Sequence, residues 1–369
     1  MYTHDKRIVM TLDAGGTNFV FSAIQGGQHI VTPLQLPAIT DDINLCLEQL
    51  VKGFRTVQSG LKERPVAISF AFPGPADYEN GVIGDLPNLP AFRGGIALGP
   101  YLSMKFNLPV FINNDGNLYA YGEALFGVLP AVNEKLERQG SDRRYKNLIG
   151  LTFGTGFGCG VVIDNVLLKG DNGCGGDVWL MNHLNRDGMI AEETVSLKGL
   201  MRKYESLTQS TVKDLTPKDV FDIAEGKREG DQKAAQESFY AFGEVAGDAI
   251  VHVLDIVDGI VVLGGGIANA AKYIMPGINK QLSRTFHIST GNSFPCLQMR
   301  VFDLTNPKQE EDFYQDEPNF VKIPQTDVEI PYFGSRRSCI SVSQIGTSTA
   351  VALGAYAYAL HQLDQQKQN

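Results

Sequence analysis

One carboxylate, Asp115, stands at the end of an apolar run and among neutral hydrogen-bonding residues, in the stretch 111–117, FINNDGN. Asn, Asp and Gly are common in turns, and an Asp at this place can cap the helix that follows. The same carboxylate could instead act as a general base, with Asn114 holding a polyol beside it, because an amide both donates and accepts hydrogen bonds. The sequence leaves both interpretations open.

Three glycine-rich turns follow apolar segments of the chain. Glycine lets backbone N–H groups approach an anion closely, and a threonine hydroxyl adds a donor, so each turn could bind phosphate. A single turn of this kind is more often a hairpin, but three together favour a nucleotide site. The predicted nucleotide-binding residues are Asp13, Gly15, Gly16, Thr17 and Asn18 in the first turn, Gly154, Thr155 and Gly156 in the second, and Gly264, Gly265 and Gly266 in the third.

Asp13 is the candidate residue for contact with the metal ion that would accompany such a nucleotide. A carboxylate at the end of a strand repels phosphate unless Mg²⁺ lies between them, bound directly or through water. Other nucleotide motifs are excluded, because the chain has no GxxxxGK[ST] P-loop, no GxGxxG match at 154–160, and no HRD and DFG set.

The composition is that of a folded protein from a reducing compartment. The 369 residues are 43% hydrophobic and 20% charged, and the formal net charge is −9. The lack of a long basic block argues against nucleic-acid binding. Five scattered cysteines without a CxxC pair argue against disulfides and a cysteine zinc site. With neither a signal-peptide pattern nor an apolar run of ~18 residues, we expect a cytoplasmic chain without a membrane segment.

Periodicity and turn signals predict the elements that position these residues. One pattern occurs twice, about 140 residues apart: the strand RIVMTL with its glycine turn and two further strands, and the segment NLIGLTFGTGFGCGVVIDNVLL. This repeat predicts two domains of similar build. Polar segments near 130–146 and 303–338 are interpreted as surface insertions. Further strands are predicted at 65–72, 109–113 and from 259, and helices after Asp41 or Asp42, after Thr216, and at 96–106, 115–127, 192–205, 231–255 and 348–363.

Six motifs together resemble the ROK family of sugar kinases and sugar-responsive regulators, within the actin and hexokinase-like superfamily. They are LDAGGTN, FAFPGPAD…GDLPNLPAF, FINNDGNLYAYGE, LTFGTGFGCGVVID, VVLGGGIAN and STAVALGAYAYA. The resemblance implies an α/β fold of two RNase H-like (actin-like ATPase) domains flanking a cleft. The smaller N-terminal domain would comprise residues 1–122 plus about 345–369, and the larger domain residues 123–344.

The resemblance also implies roles for individual residues. Asp115 matches the family's catalytic base. Asn114 and Asn88 match sugar-binding amides, and Gly74 lies in the loop that closes on the sugar. The first two glycine turns match the family's phosphate motifs, and 264–266 matches its adenosine motif.

Two family motifs are altered in this chain. In place of the sugar-contacting GExGH segment stands GCGGDVWL, with Asp177 at the Glu position and Leu180 at the His position. The zinc-binding CxCGxxGCxE loop is replaced by LNRDGMIAEETVS, so we predict no zinc. Glu192 is the expected counterpart of the loop's sugar-binding Glu, with Glu193 as the alternative. His183 could compensate for the missing His, although a lone His is more often a packing or surface residue.

The resemblance thus predicts a glucokinase-like enzyme that uses ATP and Mg²⁺ to phosphorylate a hexose or N-acetylhexosamine, at the 6-hydroxyl. Asp115 would be the general base, and its place at a helix N-terminus should keep it ionised. A non-catalytic sugar-binding or sensing ROK protein is the alternative. The family's repressors carry a DNA-binding module ahead of the first phosphate motif, and only twelve residues precede Asp13, so no nucleic-acid partner is expected. The acceptor sugar stays open, as does a homodimer.

Overall fold

The structure, a computed structural model, describes residues 2–14, 18–39, 41–74, 76–84, 91–209, 215–315 and 318–367. The elements up to residue 127 are the strands β1 (Val9–Ala14), β2 (Asn18–Gln25), β3 (Gln28–His29), β4 (Leu34–Pro37), β5 (Ala67–Ala71), β6 (Ala76–Asp77), β7 (Val82–Ile83) and β8 (Val110–Asn113), and the helices α1 (Ile43–Ser59), α2 (Leu98–Phe106) and α3 (Asp115–Phe126). The later helices are α4 (Val128–Arg138), α5 (Leu197–Thr208), α6 (Pro217–Ala224), α7 (Gln232–Val257), α8 (Ala271–Leu282), α9 (Pro307–Tyr314) and α10 (Thr347–Gln366). The later strands are β9 (Leu148–Phe153), β10 (Phe157–Ile163), β11 (Val166–Leu167), β12 (Ile260–Gly264), β13 (Thr285–His287), β14 (Ser293–Pro295), β15 (Arg300–Asp303), β16 (Asn319–Lys322), β17 (Glu329–Tyr332) and β18 (Arg337–Val342).

These elements form two compact units. The first unit consists of Met1–Gly127, Gly160–Gly176 and Ile345–Asn369, and the second of Val128–Cys159 and Asp177–Gln344. The boundary at residue 160 falls within β10, and α10 belongs to the first unit together with β1 to β8. Within the described ranges, no helix has the length and apolar character needed to cross a membrane.

Each unit contains a sheet of the same construction. In the first unit the order is β3-β2-β1-β5-β8, with β4 also paired to β2. β2 is antiparallel to β1, whereas β5 is parallel to β1 and β8 is parallel to β5. The other sheet has the order β11-β10-β9-β12-β18-β15; its strands from β9 onwards lie in the second unit, and their pairings are parallel. A hairpin followed by parallel strands in this order is the RNase H-like arrangement, so the predicted α/β fold class is confirmed.

Helix α3 is held against α10 by two glycines. A Cβ on Gly122 would overlap the backbone of Ala350, and a Cβ on Gly354 would overlap the backbone of Leu118. The two helix backbones therefore approach more closely than larger side chains would allow. Because α3 begins directly after β8, this contact fixes the helix whose first residue is Asp115.

Local capping signals set two of the predicted helix starts. The side chain of Asp42 accepts a hydrogen bond from the backbone N–H of Asn44 at 2.8 Å, so Asp42 is the cap of α1. Thr216 caps α6 in a capping box with Asp219, as the sequence predicts for this residue. These two starts need no tertiary contact, which is why they were predictable.

The two segments interpreted as polar surface insertions contain regular structure. Between 130 and 146, α4 buries Val132 and Leu136, and these residues continue a helical spacing that starts at Val128 and Leu129, before the segment interpreted as an insertion. Between 303 and 338, α9 buries Phe313, whereas β16 and β17 form an exposed hairpin. The helix predicted at 192–205 begins only at Leu197, because a 3-10 turn, Ala191–Glu193, precedes it.

Candidate active site

Strand β8 and helix α3 bring Asp115 to the edge of the first sheet. β8 ends at Asn113, Asn114 is the N-cap of α3, and Asp115 is the first helical residue. Oδ1 of Asn114 accepts a hydrogen bond from the backbone N–H of Gly116 at 2.8 Å. The capping role that the sequence left open for Asp115 is therefore filled by Asn114. The carboxylate of Asp115 accepts from the same N–H at 2.9 Å and stays exposed to solvent.

The pKa of Asp115 is raised above the ordinary value of an aspartate. Desolvation by the surrounding protein is the main cause, although solvent reaches the side chain, and the negative charge of Asp13 adds to it. The hydrogen bond from the Gly116 N–H acts in the opposite direction. The hydrogen bonding at the helix start favours the ionised form of Asp115, as expected, but desolvation has the larger effect on the pKa. A carboxylate with a raised pKa is a stronger proton acceptor.

Asp13 lies near the end of β1, where it pairs across the ladder with Val20 of β2. It is half-buried, and its charge reaches Asp115. Two neighbouring carboxylates repel each other, so a divalent cation beside Asp13 would relieve this repulsion. Asn18 opens β2. The predicted residues Gly15, Gly16, Thr17 and Asn88 lie outside the described part of the chain.

Gly74 lies in a bend that Tyr78 closes. The Tyr78 hydroxyl donates a hydrogen bond to the carbonyl of Phe72 at 2.9 Å, and a Cβ on Gly74 would stand 3.2 Å from that hydroxyl. The loop predicted to contact a sugar is therefore tied to the end of β5 by a specific side chain.

In the second unit, the turn between β9 and β10 is formed by the predicted residues Gly154, Thr155 and Gly156. The N–H of Gly154 donates to the carbonyl of Gly156 at 3.1 Å, and Thr155 is exposed at the tip. Oε2 of Glu192 accepts a hydrogen bond from the N–H of Phe157 at 2.8 Å, in space that a Cβ on Gly156 would fill. Glu192, which the sequence assigned to the sugar, thus supports this turn.

The glycines of the second and third turns fall into two groups. Gly265 has a φ of +84°, and a Cβ there would overlap the backbone of Phe153, so the fold itself requires glycine. At Gly154 and Gly266, by contrast, φ is not positive and a Cβ would meet no described atom within 4 Å. Protein packing does not explain glycine at these two positions, whereas a ligand that approaches the main chain would. The turns therefore fit a bound nucleotide.

The altered sugar motif is exposed in the second unit. Asp177 precedes the 3-10 helix Val178–Leu180, and both Asp177 and Leu180 are exposed. His183 is buried: Nδ1 accepts from the Asn185 N–H at 3.1 Å, so Nε2 carries the proton and donates to Thr194 Oγ1 at 2.7 Å. Burial lowers the pKa of His183. His183 is accordingly a packing residue.

Across the described residues, no group of three or more His, Cys, Asp or Glu side chains is arranged to hold a metal ion.

Two buried amides behind the Asp115 turn were not predicted. Oδ1 of Asn113 accepts from the backbone N–H of Asn114 at 2.8 Å and from Nδ2 of Asn117 at 3.0 Å. Asn113 and Asn117 are 2% and 5% exposed, so this network lies inside the protein. Their spacing of four residues at a helix start was the signal that could have revealed them.

A model of the ROK family matches residues 9–301, which is most of the chain. The chain belongs to the ROK family. The resemblance drawn from the motifs is confirmed. This ROK chain is 50% identical to the glucokinase of Parabacteroides distasonis, and the crystal structure of that protein matches it with a TM-score of 0.87 over 98% of this chain and 99% of the other.

Curated relatives include both enzymes and regulators. The ROK chain is 24% identical to the glucokinase of Thermotoga maritima, over 75% of its own length and 87% of that protein. It is 27% identical to the xylose repressor of Bacillus spizizenii over 73% of its own length, and it spans 65% of the length of that repressor.

Proposed function

We propose that this ROK chain is a sugar kinase that uses ATP and Mg²⁺ to phosphorylate a hexose or N-acetylhexosamine at the 6-hydroxyl. The observation that carries the proposal is the exposed carboxylate of Asp115 at the start of α3, with its raised pKa and a capped turn behind it. The 50% identity to a glucokinase over 98% of the chain supports the same class of reaction.

Asp115 accepts the proton that the attacking sugar hydroxyl loses. A positioned base contributes roughly 10²–10⁴-fold to the rate of such a step. In phosphoryl transfer most of the remaining catalysis is alignment and charge stabilisation, so a carboxylate is a sufficient base. The raised pKa makes Asp115 a better acceptor than an ordinary aspartate.

Asn114 orients the acceptor sugar through its amide nitrogen. Its Oδ1 is occupied by the N–H of Gly116, so Nδ2 is the group that can donate to a sugar hydroxyl. The donor then stands on the residue next to the base, and a sugar oxygen bound there lies close to the carboxylate. This narrows the broader donor-and-acceptor role that the sequence predicts for Asn114.

The second unit supplies backbone groups that suit a nucleotide. Gly154 and Gly266 leave open space where a side chain would stand, and the hydroxyl of Thr155 lies on an exposed residue. ATP, when bound, supplies the phosphoryl group. Mg²⁺ beside Asp13 would offset the repulsion between the carboxylates of Asp13 and Asp115.

A non-catalytic, sugar-binding regulator is the second candidate function. Leu180 is exposed at the place of the family's sugar-contacting histidine, and His183 is engaged in structural hydrogen bonds. Identity to the xylose repressor is similar to that with the Thermotoga glucokinase. These features concern sugar recognition and do not alter Asp115, so we prefer the kinase function over the regulator function.

Release of ADP from ATP and Mg²⁺ in the presence of glucose, mannose, fructose, N-acetylglucosamine or N-acetylmannosamine tests the two functions. Turnover with at least one sugar, lowered at least ~10²-fold in Asp115→Asn, supports the kinase. Calorimetric binding of a sugar without turnover of any of them would support the regulator and overturn the kinase.

A further inference from the structure

The hairpin of β16 and β17 is exposed on both of its faces. Every residue from 319 to 332 is solvent-exposed, so within the described part of the chain nothing buries either side of this two-stranded ribbon. Its base is nevertheless fixed: Cζ of Arg143 lies 4.7 Å from the centre of the Phe333 ring, and the Arg143 guanidinium donates to the carbonyl of Ser335 at 3.0 Å. A two-stranded hairpin is only marginally stable in water unless another element packs on it. This hairpin therefore indicates a partner that covers it.

The pairing of β16 with β17 decides which side chains share a face, because side chains alternate between the two faces of a strand. Residue 321 pairs with 330 and residue 319 with 332, and the Ile323 N–H extends the ladder by donating to the carbonyl of Val328 at 2.8 Å. One face, named here the apolar face, consists of Asn319, Val321, Ile323, Val328, Ile330 and Tyr332. The opposite face carries Phe320, Lys322, Glu329 and Pro331. The apolar face thus has no charged side chain.

The apolar face has the size of one half of a dimer interface. Its five apolar residues are each 40–56% exposed. Because a large side chain has roughly 150–250 Å² to bury, five of them at about half exposure present on the order of 500 Å² of apolar surface. A standard interface buries about 800 Å² per protomer, of which roughly 56–65% is apolar. The face therefore needs only its own rim to complete such an interface.

The free edge of β17 is unsuited to pairing with a further strand. Hydrogen-bonded and non-hydrogen-bonded pairs alternate along an antiparallel ladder. The pair of Ile323 with Val328 is hydrogen-bonded, and the pair of 320 with 331 lies three pairs further along, so it is a non-hydrogen-bonded one. The backbone nitrogen of Pro331 therefore points away from β16, and proline has no N–H to donate there. Packing on the apolar face is thus favoured over extension of the sheet at this edge.

The charges of the hairpin restrict the class of partner. Lys322 is the single basic residue of 319–332, it pairs with Asp327 at 3.6 Å, and Glu329 adds a further negative charge. Nucleic acids and anionic lipid surfaces are bound through clusters of Lys and Arg, so neither suits this hairpin. A partner recognised by charge would need charged groups on the face that meets it, and the apolar face has none. An uncharged apolar face is complementary to a second copy of itself, and homodimer interfaces are more apolar than other interfaces.

We propose that the apolar face is the contact surface of a homodimer, in which the hairpins of two chains pack face to face about a two-fold axis. In such an isologous interface the same residues meet on both sides. The two ribbons form a four-stranded sandwich, with Val321 and Ile330 at its centre. Each hairpin then has a packing element on its apolar face.

The experiment is sedimentation velocity on the full-length chain from about 1 to 100 µM, because interfaces of standard size have dissociation constants in or below this range. We expect a dimer at the upper end of the range. Ile330→Asp places two like charges in the contact, one from each chain, and should weaken the dimer at least ~10²-fold. Val321→Asp, on the other strand of the same face, should have the same effect, and it decides the test should Ile330→Asp fold poorly.

Two controls carry the same substitution at other exposed apolar residues. Phe320 lies on the opposite face of the hairpin, so Phe320→Asp should leave the dimer intact. Ile256 is exposed on α7 of the second unit, and Ile256→Asp should leave the dimer intact as well. All four substituted residues are exposed, so thermal melts of the variants should differ little from that of the unchanged chain.

Three results in solution would overturn the proposal. They are a chain that stays monomeric at about 100 µM, a dimer of unchanged affinity in both Ile330→Asp and Val321→Asp, and a dimer that Phe320→Asp weakens equally. A monomer that instead sediments with vesicles of phosphatidylcholine and phosphatidylglycerol would assign the face to a membrane and would also overturn it. Turnover is not part of the readout, so this proposal and the kinase proposal fail independently.

Discussion

Glu192 accepts a hydrogen bond from the backbone N–H of Phe157 at 2.8 Å. A residue that the sequence predicts to contact the sugar therefore supports the turn of Gly154, Thr155 and Gly156, which the sequence predicts to contact the nucleotide. We therefore expect this one carboxylate of the second unit to affect the binding of both substrates. This arrangement leads to the first prediction.

Glu192→Ala should raise the KM for ATP by roughly tenfold, because a hydrogen bond to a charged group is worth ~1.5–3 kcal/mol and its loss leaves the turn unsupported. Glu192→Gln, which keeps an acceptor oxygen, should have a smaller effect. Glu193→Ala is the matched control, since Glu193 is paired with Arg202 at 2.7 Å instead. Steady-state kinetics with ATP as the varied substrate make the comparison. An unchanged KM in Glu192→Ala would contradict the role of this contact.

Asp115→Asn should lower kcat at least ~10²-fold while leaving sugar affinity within a factor of about three, because the change removes a proton acceptor and keeps the shape of the side chain. The change is checked by turnover under saturating ATP and by calorimetric titration of the sugar that the enzyme uses. Undiminished turnover in this variant would remove Asp115 from the mechanism.

The raised pKa of Asp115 should also be visible in stability. A carboxyl whose folded pKa lies above its unfolded value binds protons more tightly when folded, so its ionised form destabilises the fold above the folded pKa. Asp115→Asn should therefore raise Tm at neutral pH. The gain should shrink as the pH falls through the folded pKa and disappear below the unfolded value of ~3.9. Thermal melts of both proteins across this pH range test it, and a gain that instead grows toward acid would show that the sign is wrong.

Two substitutions at Asn114 should distinguish its contribution to stability from its contribution to sugar binding. Asn114→Ala removes the cap of α3 and should lower the free energy of unfolding by about 1 kcal/mol. Asn114→Ser keeps a capping oxygen but lacks the amide donor, so stability should be nearly retained while the KM for the sugar rises about tenfold. Denaturant unfolding and sugar kinetics on both variants give the two readouts. An unaltered sugar KM in Asn114→Ser would exclude Nδ2 as a sugar donor.

The glycine turns provide a matched set of three variants. Gly154→Ala and Gly266→Ala meet open space at a φ that alanine accepts, so each should leave stability unchanged or raise it by ~0.4–1 kcal/mol. Each should nevertheless weaken ATP binding, because the added methyl stands where the ligand approaches. Gly265→Ala, at a φ of +84°, should destabilise the fold. Thermal melts with and without ATP distinguish the three, and full ATP affinity in both open-space variants would contradict the nucleotide site.

Local signals made much of this fold predictable from the sequence. Hydrophobic periodicity and capping chemistry depend on few long-range contacts. They predict the strands before the glycine turns, the cap at Thr216 and the helix from 115. Helix α4 was not predicted because the segment interpreted as an insertion began at residue 130, which separated Val132 and Leu136 from Val128 and Leu129 on the same buried face.

The candidate site was predictable in its residue types but not in its energetics. Asp115 and Asn114 were identified by pattern, yet the direction of the Asp115 pKa depends on how much of the folded protein surrounds it. The contact of Glu192 with Phe157 joins residues 35 positions apart, and no local pattern predicts such a pairing. Likewise, only the folded structure shows that His183 is bound to Thr194.

The close glycine-to-backbone packing of α3 on α10 has a consequence for synthesis of the chain. α10 is encoded after the entire second unit, so the helix that carries Asp115 lacks its packing partner α10 until translation has passed residue 347. The first unit emerges first from the ribosome and is completed last. We therefore expect its final folding step to be slow and non-local, and a nascent chain halted before α10 to expose the apolar surface of α3 to chaperones and proteases.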